Sequence, residues 1–276
     1  MIDELKIKVL VDDLSLDKRF LTEHGLSIWI EAGEKKILFD TGQGDVLKKN
    51  AKAFNIDLSD VNFLVLSHGH YDHVGSVEDV LGLNEDMKIF LHSEIFEDKF
   101  SVRKSGVEHI GFSKTAEELL KKRGNLNYTK DPTKLFDGVW LTGEIPRNND
   151  FEDTGGKFYL DKEATKKDSL IDEQALFAES ANGIILIVGC AHAGIVNTMD
   201  YVSKLTGEKH IYAVIGGMHL LHASRNRLDR TFEALKQYEV QILSPTHCTG
   251  MFAVAELKQK FPKEFNLCKA GSLLEI

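Results

Sequence analysis

Short apolar segments alternate with helical patterns along most of this chain. Residues 5–11 and 26–32 alternate apolar and polar positions, which is typical of half-buried strands. Residues 61–66, VNFLVL, form a continuous apolar run that suits a fully buried strand. Further strands are predicted at 36–40 and 88–92, and within 183–192, 211–219 and 241–250. Helices are predicted at 43–54, 194–205, 227–237 and 251–261.

The middle of the chain, about residues 100–170, breaks this alternation. Apart from a helical pattern at 115–123 and a strand-like run at 139–145, it is polar and irregular. Such a segment is typical of an excursion over the surface, and it suits either a lid or a solvated loop without a role. With 276 residues, the chain is long enough for one large domain or two small ones.

The motif SHGHYDHVG, residues 67–75, follows the fully buried strand and brings His68, His70, Asp72 and His73 close together. Imidazoles and carboxylates packed so tightly compete for hydrogen bonds and add little to a core. A bound cation would give each lone pair a partner. Packing alone seldom places these residue types at this spacing. The motif therefore predicts metal ligands on a loop at the end of a strand.

Four ligands so close in sequence cannot encircle one ion, but they can serve two neighbouring ions if remote residues complete each shell. His192 and His247, at the ends of later predicted strands, are the remote ligands we expect. On an extended loop, residues two apart point the same way, so His68, His70 and Asp72 converge. The resulting assignment gives one ion His68, His70 and His192, and the other ion Asp72, His73 and His247.

Three protein ligands per ion leave positions open for water or substrate, which is typical of a catalytic site. The nitrogen-rich shells favour two zinc ions, with iron or manganese as alternatives because a carboxylate also takes part. No role is assigned to His24, His92, His109 or His210, since an isolated histidine is most often structural.

Composition limits the partners of this site. The net charge of -9 disfavours a nucleic-acid groove, which would need a basic face. The N-terminal residues lack the apolar core of a signal peptide, and no apolar stretch is long enough to span a bilayer. The three cysteines are scattered, which fits a reducing cytoplasm. We therefore expect a cytoplasmic protein with no membrane or nucleic-acid partner, and whether it forms a homo-oligomer is left open.

These motifs resemble a known family. HGHYDHVG, preceded by LFDTG at 38–42, is similar to the HxHxDH signature of the metallo-β-lactamase superfamily. The resemblance covers essentially the whole chain and implies an α+β fold, the four-layer αβ/βα sandwich. It implies one domain over residues 1–276, with the polar insertion at about 100–170. It also implies that Asp40 orients the metal-binding loop, with a simple turn residue as the alternative.

More narrowly, LTGEIPR, DEQAL, GCAHAGI, IGGMHL and SPTHCTG resemble the subgroup that includes the archaeal dihydropterin synthase of methanopterin biosynthesis. Members of that subgroup join a dihydropterin diphosphate to a ribofuranosyl-aminobenzene phosphate. The resemblance implies a metal-dependent enzyme acting on a small anionic metabolite, a pterin or a phosphate ester. Hydrolysis and displacement of a diphosphate both stay open as reactions. A non-catalytic pterin- or nucleotide-binding metalloprotein is the alternative.

The chain departs from the superfamily where most members bridge the two ions with an aspartate. The matching strand here is followed by Met218 and His219. We expect His219 either to ligate the second ion or to donate a proton, and a purely structural histidine is the competing interpretation. Asp72 and His219 are the expected catalytic side chains. Arg147, Arg225 and Arg227 are the basic residues nearest the predicted site. We expect them to bind a phosphate group of the substrate.

Overall fold

The computed structural model describes all 276 residues, Met1 to Ile276. They divide into two compact units, each drawn from several stretches of sequence. The N-terminal unit comprises residues 4–130, 157–172 and 269–276, and the C-terminal unit comprises residues 1–3, 131–156 and 173–268. The expectation of a single domain stays a prediction. None of the helices combines the length and the apolar character that crossing a membrane requires.

The chain forms sixteen strands and seven α-helices. The strands are β1 (Leu5–Val11), β2 (Ser27–Ala32), β3 (Lys35–Phe39), β4 (Phe63–Val65), β5 (Lys88–Leu91), β6 (Phe100–Arg103), β7 (Gly106–His109), β8 (Leu126–Tyr128), β9 (Thr133–Phe136), β10 (Val139–Leu141), β11 (Phe158–Tyr159), β12 (Leu176–Ser180), β13 (Gly183–Val188), β14 (Ala213–Gly217), β15 (Ile242–Thr246) and β16 (Leu273–Glu275). The α-helices are α1 (Leu47–Ala53), α2 (Tyr71–Val74), α3 (Val77–Leu81), α4 (Lys114–Arg123), α5 (Ile195–Thr206), α6 (Arg225–Gln237) and α7 (Met251–Lys260).

A seven-stranded sheet forms the centre of the N-terminal unit, in the order β16-β1-β2-β3-β4-β5-β8. The strands from β3 to β8 in this order are parallel, and the others are antiparallel. In β1 the apolar Leu5, Ile7 and Val9 are buried, whereas Lys6 and Lys8 between them are partly exposed. The two-residue alternation therefore decides which face of the strand meets the core. Helices α1, α3 and α4 contribute buried residues to the same hydrophobic cluster as the strands.

A six-stranded sheet forms the centre of the C-terminal unit, in the order β15-β14-β13-β12-β10-β9. Strands β13, β14 and β15 are parallel, and their apolar residues pack with those of α5, α6 and α7 in one hydrophobic cluster. Because parallel strands share a direction, the segments that follow these three strands leave the sheet at the same edge. Each of these segments carries one of the predicted histidines.

The middle of the chain has more secondary structure than its polar composition indicated. Strands β6, β7 and β11 form a separate three-stranded sheet within the N-terminal unit, and β8 and β9 form the outer strands of the two large sheets. The expectation of an irregular segment is therefore wrong, while a role as a lid stays a prediction. These strands are short and largely exposed or half-buried. They therefore lack the alternation of apolar and polar residues by which a strand is recognised in a sequence.

Candidate metal centre

The HxHxDH motif forms a buried histidine cluster in the N-terminal unit. It follows β4, all three residues of which are buried. His68 and His73 are fully buried, and His70 is 5 % exposed. Nε2 of His68 lies 3.0 Å from Nδ1 of His70. The centroid of the His68 ring lies 4.6 Å from that of His70 and 4.3 Å from that of His73, so three imidazoles converge.

The second half of the motif is helical, which corrects the expectation of an extended loop. His70 has extended backbone angles and directly precedes α2. The backbone N–H groups of His73 and Val74 donate to the carbonyl oxygen of His70 at 2.9 and 3.2 Å. Asp72 and His73 therefore lie on a helical turn, where the side chains no longer alternate between two faces.

Asp40 holds this cluster from the end of β3. It is fully buried, and its backbone angle φ is +59°, which is uncommon for a residue other than glycine. Its carboxylate accepts hydrogen bonds from the backbone N–H of Ser67 (2.7 Å), the hydroxyl of Ser67 (2.6 Å) and Nδ1–H of His73 (2.7 Å). Because Nδ1 donates, the lone pair of the His73 ring is on Nε2, as in metal-binding histidines oriented by a carboxylate.

A buried lysine and two aspartates hold the same loop, and the sequence alone could not place them there. Nζ of Lys99 lies 3.1 Å from the Asp168 carboxylate and 2.8 Å from the Asp172 carboxylate. Asp172 also accepts a hydrogen bond from the backbone N–H of Gly69 at 2.8 Å, between the first two histidines of the motif. Burial lowers the pKa of Lys99, but the two carboxylates outweigh burial and raise it, so the lysine is charged.

His24 lies beside Asp72, although its isolated position in the sequence indicated no role. Nε2 of His24 is 3.3 Å from the carboxylate of Asp72, and Nδ1 is 3.1 Å from the carboxylate of Asp13. A Cβ atom at the following residue, Gly25, would lie 2.3 Å from the carbonyl oxygen of Asp72. The absence of a side chain at Gly25 therefore permits this close approach, and the glycine was the available sequence signal.

Three histidines follow the parallel strands of the C-terminal unit. His192 comes after β13, His219 after β14, and His247 directly after β15. The ring centroids of His192 and His219 lie 4.3 Å apart. Ala191, His219 and His247 have φ angles of +55°, +46° and +43°. Residues other than glycine rarely adopt positive φ angles. Residues that do adopt them are concentrated in functional loops.

Three groups of the C-terminal unit hold the His192 loop. The buried carboxylate of Glu173 accepts hydrogen bonds from the backbone N–H groups of His192 (2.6 Å) and Ala193. Nδ1–H of His192 donates to the carbonyl oxygen of Thr154 at 2.8 Å, which places the lone pair of the ring on Nε2. Nη1 of Arg147 donates to the carbonyl oxygen of His192 at 2.7 Å. A role for Arg147 in substrate binding stays a prediction.

Two cysteines lie among these histidines, which their spacing in the sequence did not indicate. Ligand atoms of Cys190, His192 and His219 lie within 4.8 Å of one another, as do those of Cys190, His247 and Cys248. Burial raises the pKa of the Cys248 thiol, but hydrogen bonding with Cys190 and the neighbouring histidines outweigh burial and lower it. Burial lowers the pKa of His219, but Cys248 outweighs burial and raises it. The unit therefore offers thiol as well as imidazole donors.

Met218 and His219 stand where the bridging aspartate of the superfamily is expected. Met218 is fully buried, and its backbone N–H donates to the hydroxyl of Thr249 at 3.1 Å. The backbone at Gly155 packs so closely on the His219 ring that a Cβ atom there would lie 1.8 Å from Cδ2. His219 is therefore held between the end of β14 and the polar segment that contains Gly155, and its catalytic role stays a prediction.

The two arginines in the first turn of α6 have different surroundings. Arg225 is exposed and forms ion pairs with Asp229 and Glu256. Arg227 is 1 % exposed, and its Nη1 lies 2.6 Å from the carboxylate of Asp153. The structure thus places Arg227 in the interior of the C-terminal unit and Arg225 on its surface. Substrate binding by either arginine stays a prediction.

Both histidine clusters have the chemistry of metal sites. In each unit, one histidine donates Nδ1–H to a fixed oxygen, which places the lone pair of the ring on Nε2, the atom that coordinates a cation in such sites. Imidazole and thiolate ligands suit zinc, and imidazole combined with a carboxylate also suits iron or manganese. The residues present therefore fit the divalent cations that the sequence predicted.

Known proteins match this chain over its whole length. The family model described as the metallo-beta-lactamase superfamily matches residues 22–161. The solved structure of Tm1679, described as a metal-dependent hydrolase of the beta-lactamase superfamily, is 31 % identical, has a TM-score of 0.86 and covers 99 % of both chains. The chain belongs to the metallo-β-lactamase superfamily and is an enzyme, and the expected α+β fold is confirmed.

Within that superfamily, two relatives come from Methanocaldococcus jannaschii. One is the 7,8-dihydropterin-6-methyl-4-(beta-D-ribofuranosyl)-aminobenzene-5'-phosphate synthase, which is 32 % identical over 99 % of this chain and 97 % of its own length. The other is an uncharacterized protein, which is 35 % identical over 92 % of this chain and 94 % of its own length. The similarity to the synthase confirms the subgroup resemblance seen in the motifs.

Proposed function

We propose that this protein is a dinuclear metal-dependent enzyme acting on a small phosphorylated metabolite, with a reduced pterin as the leading substrate class. The observation that carries the proposal is the support of the HxHxDH motif, where Asp40 orients His73 and Asp172 holds the backbone of Gly69. Support of this kind fixes ligand geometry in metal enzymes. The relative named as a synthase of a dihydropterin compound with a 5'-phosphate supports the substrate class.

The proposed ligand sets are those expected from the sequence: His68, His70 and His192 for one ion, and Asp72, His73 and His247 for the other. Two divalent ions held there, zinc first and iron or manganese as alternatives, would lower the pKa of bound water and stabilise negative charge on a substrate oxygen. Asp40 and Thr154 keep the rings of His73 and His192 in one orientation through their Nδ1–H groups.

Two further side chains have proposed roles in the reaction. Asp72, next to His24, positions the reacting water or substrate as well as ligating the second ion. His219 holds a proton on its imidazole for the leaving group, a step that contributes about 10²–10⁴-fold in other enzymes. The enclosure of His219 by Gly155 keeps its ring in one position for that transfer.

Two reactions are compatible with this site, and a different relative favours each. Displacement of a diphosphate follows from the similarity to the synthase. Hydrolysis is the second candidate, because the similar Tm1679 is described as a metal-dependent hydrolase. Both reactions would use the same two metal ions. They differ in whether an amine or a water molecule attacks the substrate.

The experiment presents zinc-loaded protein with two substrates in separate assays. One assay combines a dihydropterin diphosphate with a ribofuranosyl-aminobenzene phosphate, and the other uses bis(p-nitrophenyl) phosphate. A condensed product supports the synthase reaction, and release of nitrophenolate supports hydrolysis. Either activity should disappear with a chelator and in His68→Ala, and persist in His109→Ala, an exposed histidine of the same unit. Metal-loaded protein that catalyses neither reaction would contradict the proposed substrate class.

We further propose that the enzyme works in the cytoplasm on a small anionic metabolite and binds no nucleic acid. None of its three cysteines forms a disulfide bond, which suits a reducing compartment. Its net charge of -9 opposes the phosphates of a nucleic acid. Fractionation of source cells with an antibody to the protein tests the location, and recovery outside the cytoplasmic fraction would contradict it.

A further inference from the structure

The guanidinium group of Arg227, in the C-terminal unit, is buried, and two of its nitrogens make no hydrogen bond. Arg227 is the third residue of α6 and is 1 % exposed. Its Nη1 donates to the carboxylate of Asp153 at 2.6 Å and to the carbonyl oxygen of Asp153 at 3.2 Å. Nε and Nη2 are buried and have no hydrogen-bond partner. Proteins rarely bury charged N–H groups in this state unless those groups serve to bind something.

The two unused donors form one edge of the guanidinium group. Nε–H and Nη2–H point in the same direction, and their spacing matches two oxygens of a phosphate or carboxylate. Asp153 engages the guanidinium only through Nη1, which helps to fix its plane and leaves the hydrogen-bonding capacity of the Nε–Nη2 edge unused. The backbone is fixed too, because the Arg227 N–H donates to the hydroxyl of Ser224, which caps α6 (3.2 Å).

A second buried donor lies on the same helix face. Thr231 is one turn beyond Arg227, and its hydroxyl is buried without a hydrogen-bond partner. The guanidinium is also within electrostatic reach of the histidine cluster. Burial and the charge of Arg227 both lower the pKa of His219, although Cys248 outweighs them. Asp153, which binds this guanidinium, is two residues from Gly155, whose backbone packs on the His219 ring.

We propose that the Nε–Nη2 edge of Arg227 is an oxyanion subsite that binds a phosphoryl group of the substrate. Only the choice of a phosphoryl group rests on the proposed function, whereas the subsite itself rests on the geometry of the guanidinium. Asp153, bonded to the same guanidinium, has a side chain that is 81 % exposed, so one partner of this buried arginine reaches solvent. Arg225 differs from Arg227, because its guanidinium is exposed and already pairs with Asp229 and Glu256.

The experiment measures binding of inorganic phosphate to metal-loaded protein by isothermal titration calorimetry. Arg227→Gln should bind phosphate about ten- to a hundredfold more weakly than wild type, because two charge-assisted hydrogen bonds are lost. Arg227→Lys should show a smaller loss of phosphate affinity, because lysine keeps the positive charge but lacks the two parallel N–H donors. Arg230→Gln is the matched control, because Arg230 is an exposed arginine of the same helix, and it should bind phosphate as wild type does.

Unchanged phosphate affinity in Arg227→Gln would overturn the subsite, as would wild-type protein that does not bind phosphate at millimolar concentration. If Arg227→Gln does not fold, unchanged affinity in Arg227→Lys overturns it instead. Metal analysis of the same samples separates this inference from the proposed function. Phosphate binding that depends on Arg227 in protein that retains no metal supports the subsite alone. Metal-dependent turnover with phosphate binding independent of Arg227 supports the proposed function alone.

Discussion

Replacing Lys99 with methionine should destabilise the N-terminal unit strongly. The lysine is 2 % exposed and lies between the carboxylates of Asp168 and Asp172, which are 6 % and 1 % exposed. Methionine has a similar unbranched apolar chain, so Lys99→Met retains most of the packing and removes the charge. The variant leaves two buried carboxylates in one site without their shared cation.

The size of the effect follows from this burial. Removing one partner of a buried ion pair costs about 3–5 kcal/mol, because the remaining charge stays out of water. Each carboxylate keeps a hydrogen bond from a backbone N–H group, Asp172 from Gly69 (2.8 Å) and Asp168 from Leu170 (2.7 Å), which offsets part of the loss. We therefore expect a loss near the lower end, about 3 kcal/mol. Domains are stable by only about 5–15 kcal/mol, so this is a large part of the total.

The ion pairs of Lys99 with Asp168 and Asp172 should also make the wild-type protein less stable at alkaline pH. Asp172 and Asp168 raise the pKa of Lys99 in the folded state against the opposing effect of burial. The stabilisation is therefore complete below the pKa of the unfolded chain, about 10.4, and is lost as pH rises through the higher folded pKa. The difference in free energy of unfolding between wild type and Lys99→Met should shrink as pH rises above about 10.4.

Urea denaturation at pH 7, followed by circular dichroism, measures the loss. Lys114→Met is the matched control, because Lys114 is an exposed lysine of the same unit that pairs with Asp98 and Glu117. An exposed pair of this kind contributes less than about 1 kcal/mol. A loss for Lys99→Met no larger than that for Lys114→Met would contradict a stabilising role of the buried ion pair.

Two further substitutions test the groups that hold the functional loops. Asp40→Asn should weaken metal binding by about 10–100-fold, because it removes the carboxylate that orients His73. Competition with a chromogenic chelator measures this, and unchanged affinity would contradict it. Glu152→Ala should lower the stability of the protein by about 1 kcal/mol, because the carboxylate caps α5 through the backbone N–H groups of Val196 and Asn197 (3.0 and 2.8 Å). An unchanged melting temperature would show that Glu152 does not contribute as a cap.

The histidines of the candidate site could be predicted because each belongs to a local pattern. A buried strand followed by a histidine is visible in the sequence near His68, His192, His219 and His247. The parallel pairing of β13, β14 and β15 then brings three of these positions to one sheet edge. Local apolar patterns thus determine where the histidine-bearing segments leave the sheet.

Asp40 was expected from the family resemblance, but the other groups that support the histidines could not be predicted, because their contacts are distant in sequence. Asp172 is 73 positions from Lys99 and 103 positions from Gly69. Cys190 and Cys248 approach each other only because β13 and β15 end at the same edge of the sheet. Helix α2 was missed for another reason, since four residues are too few to show helical periodicity.

The metal content of the purified protein tests the central claim most directly. Zinc-loaded wild type, freed of excess metal, should carry two ions per chain by elemental analysis. His68→Ala and His247→Ala should each retain one ion, because each removes a ligand of a different ion in the proposed assignment. His109→Ala should retain both, because it changes an exposed histidine outside the site. Wild-type protein that retains no ion would contradict the account of this chain as a metal-dependent enzyme.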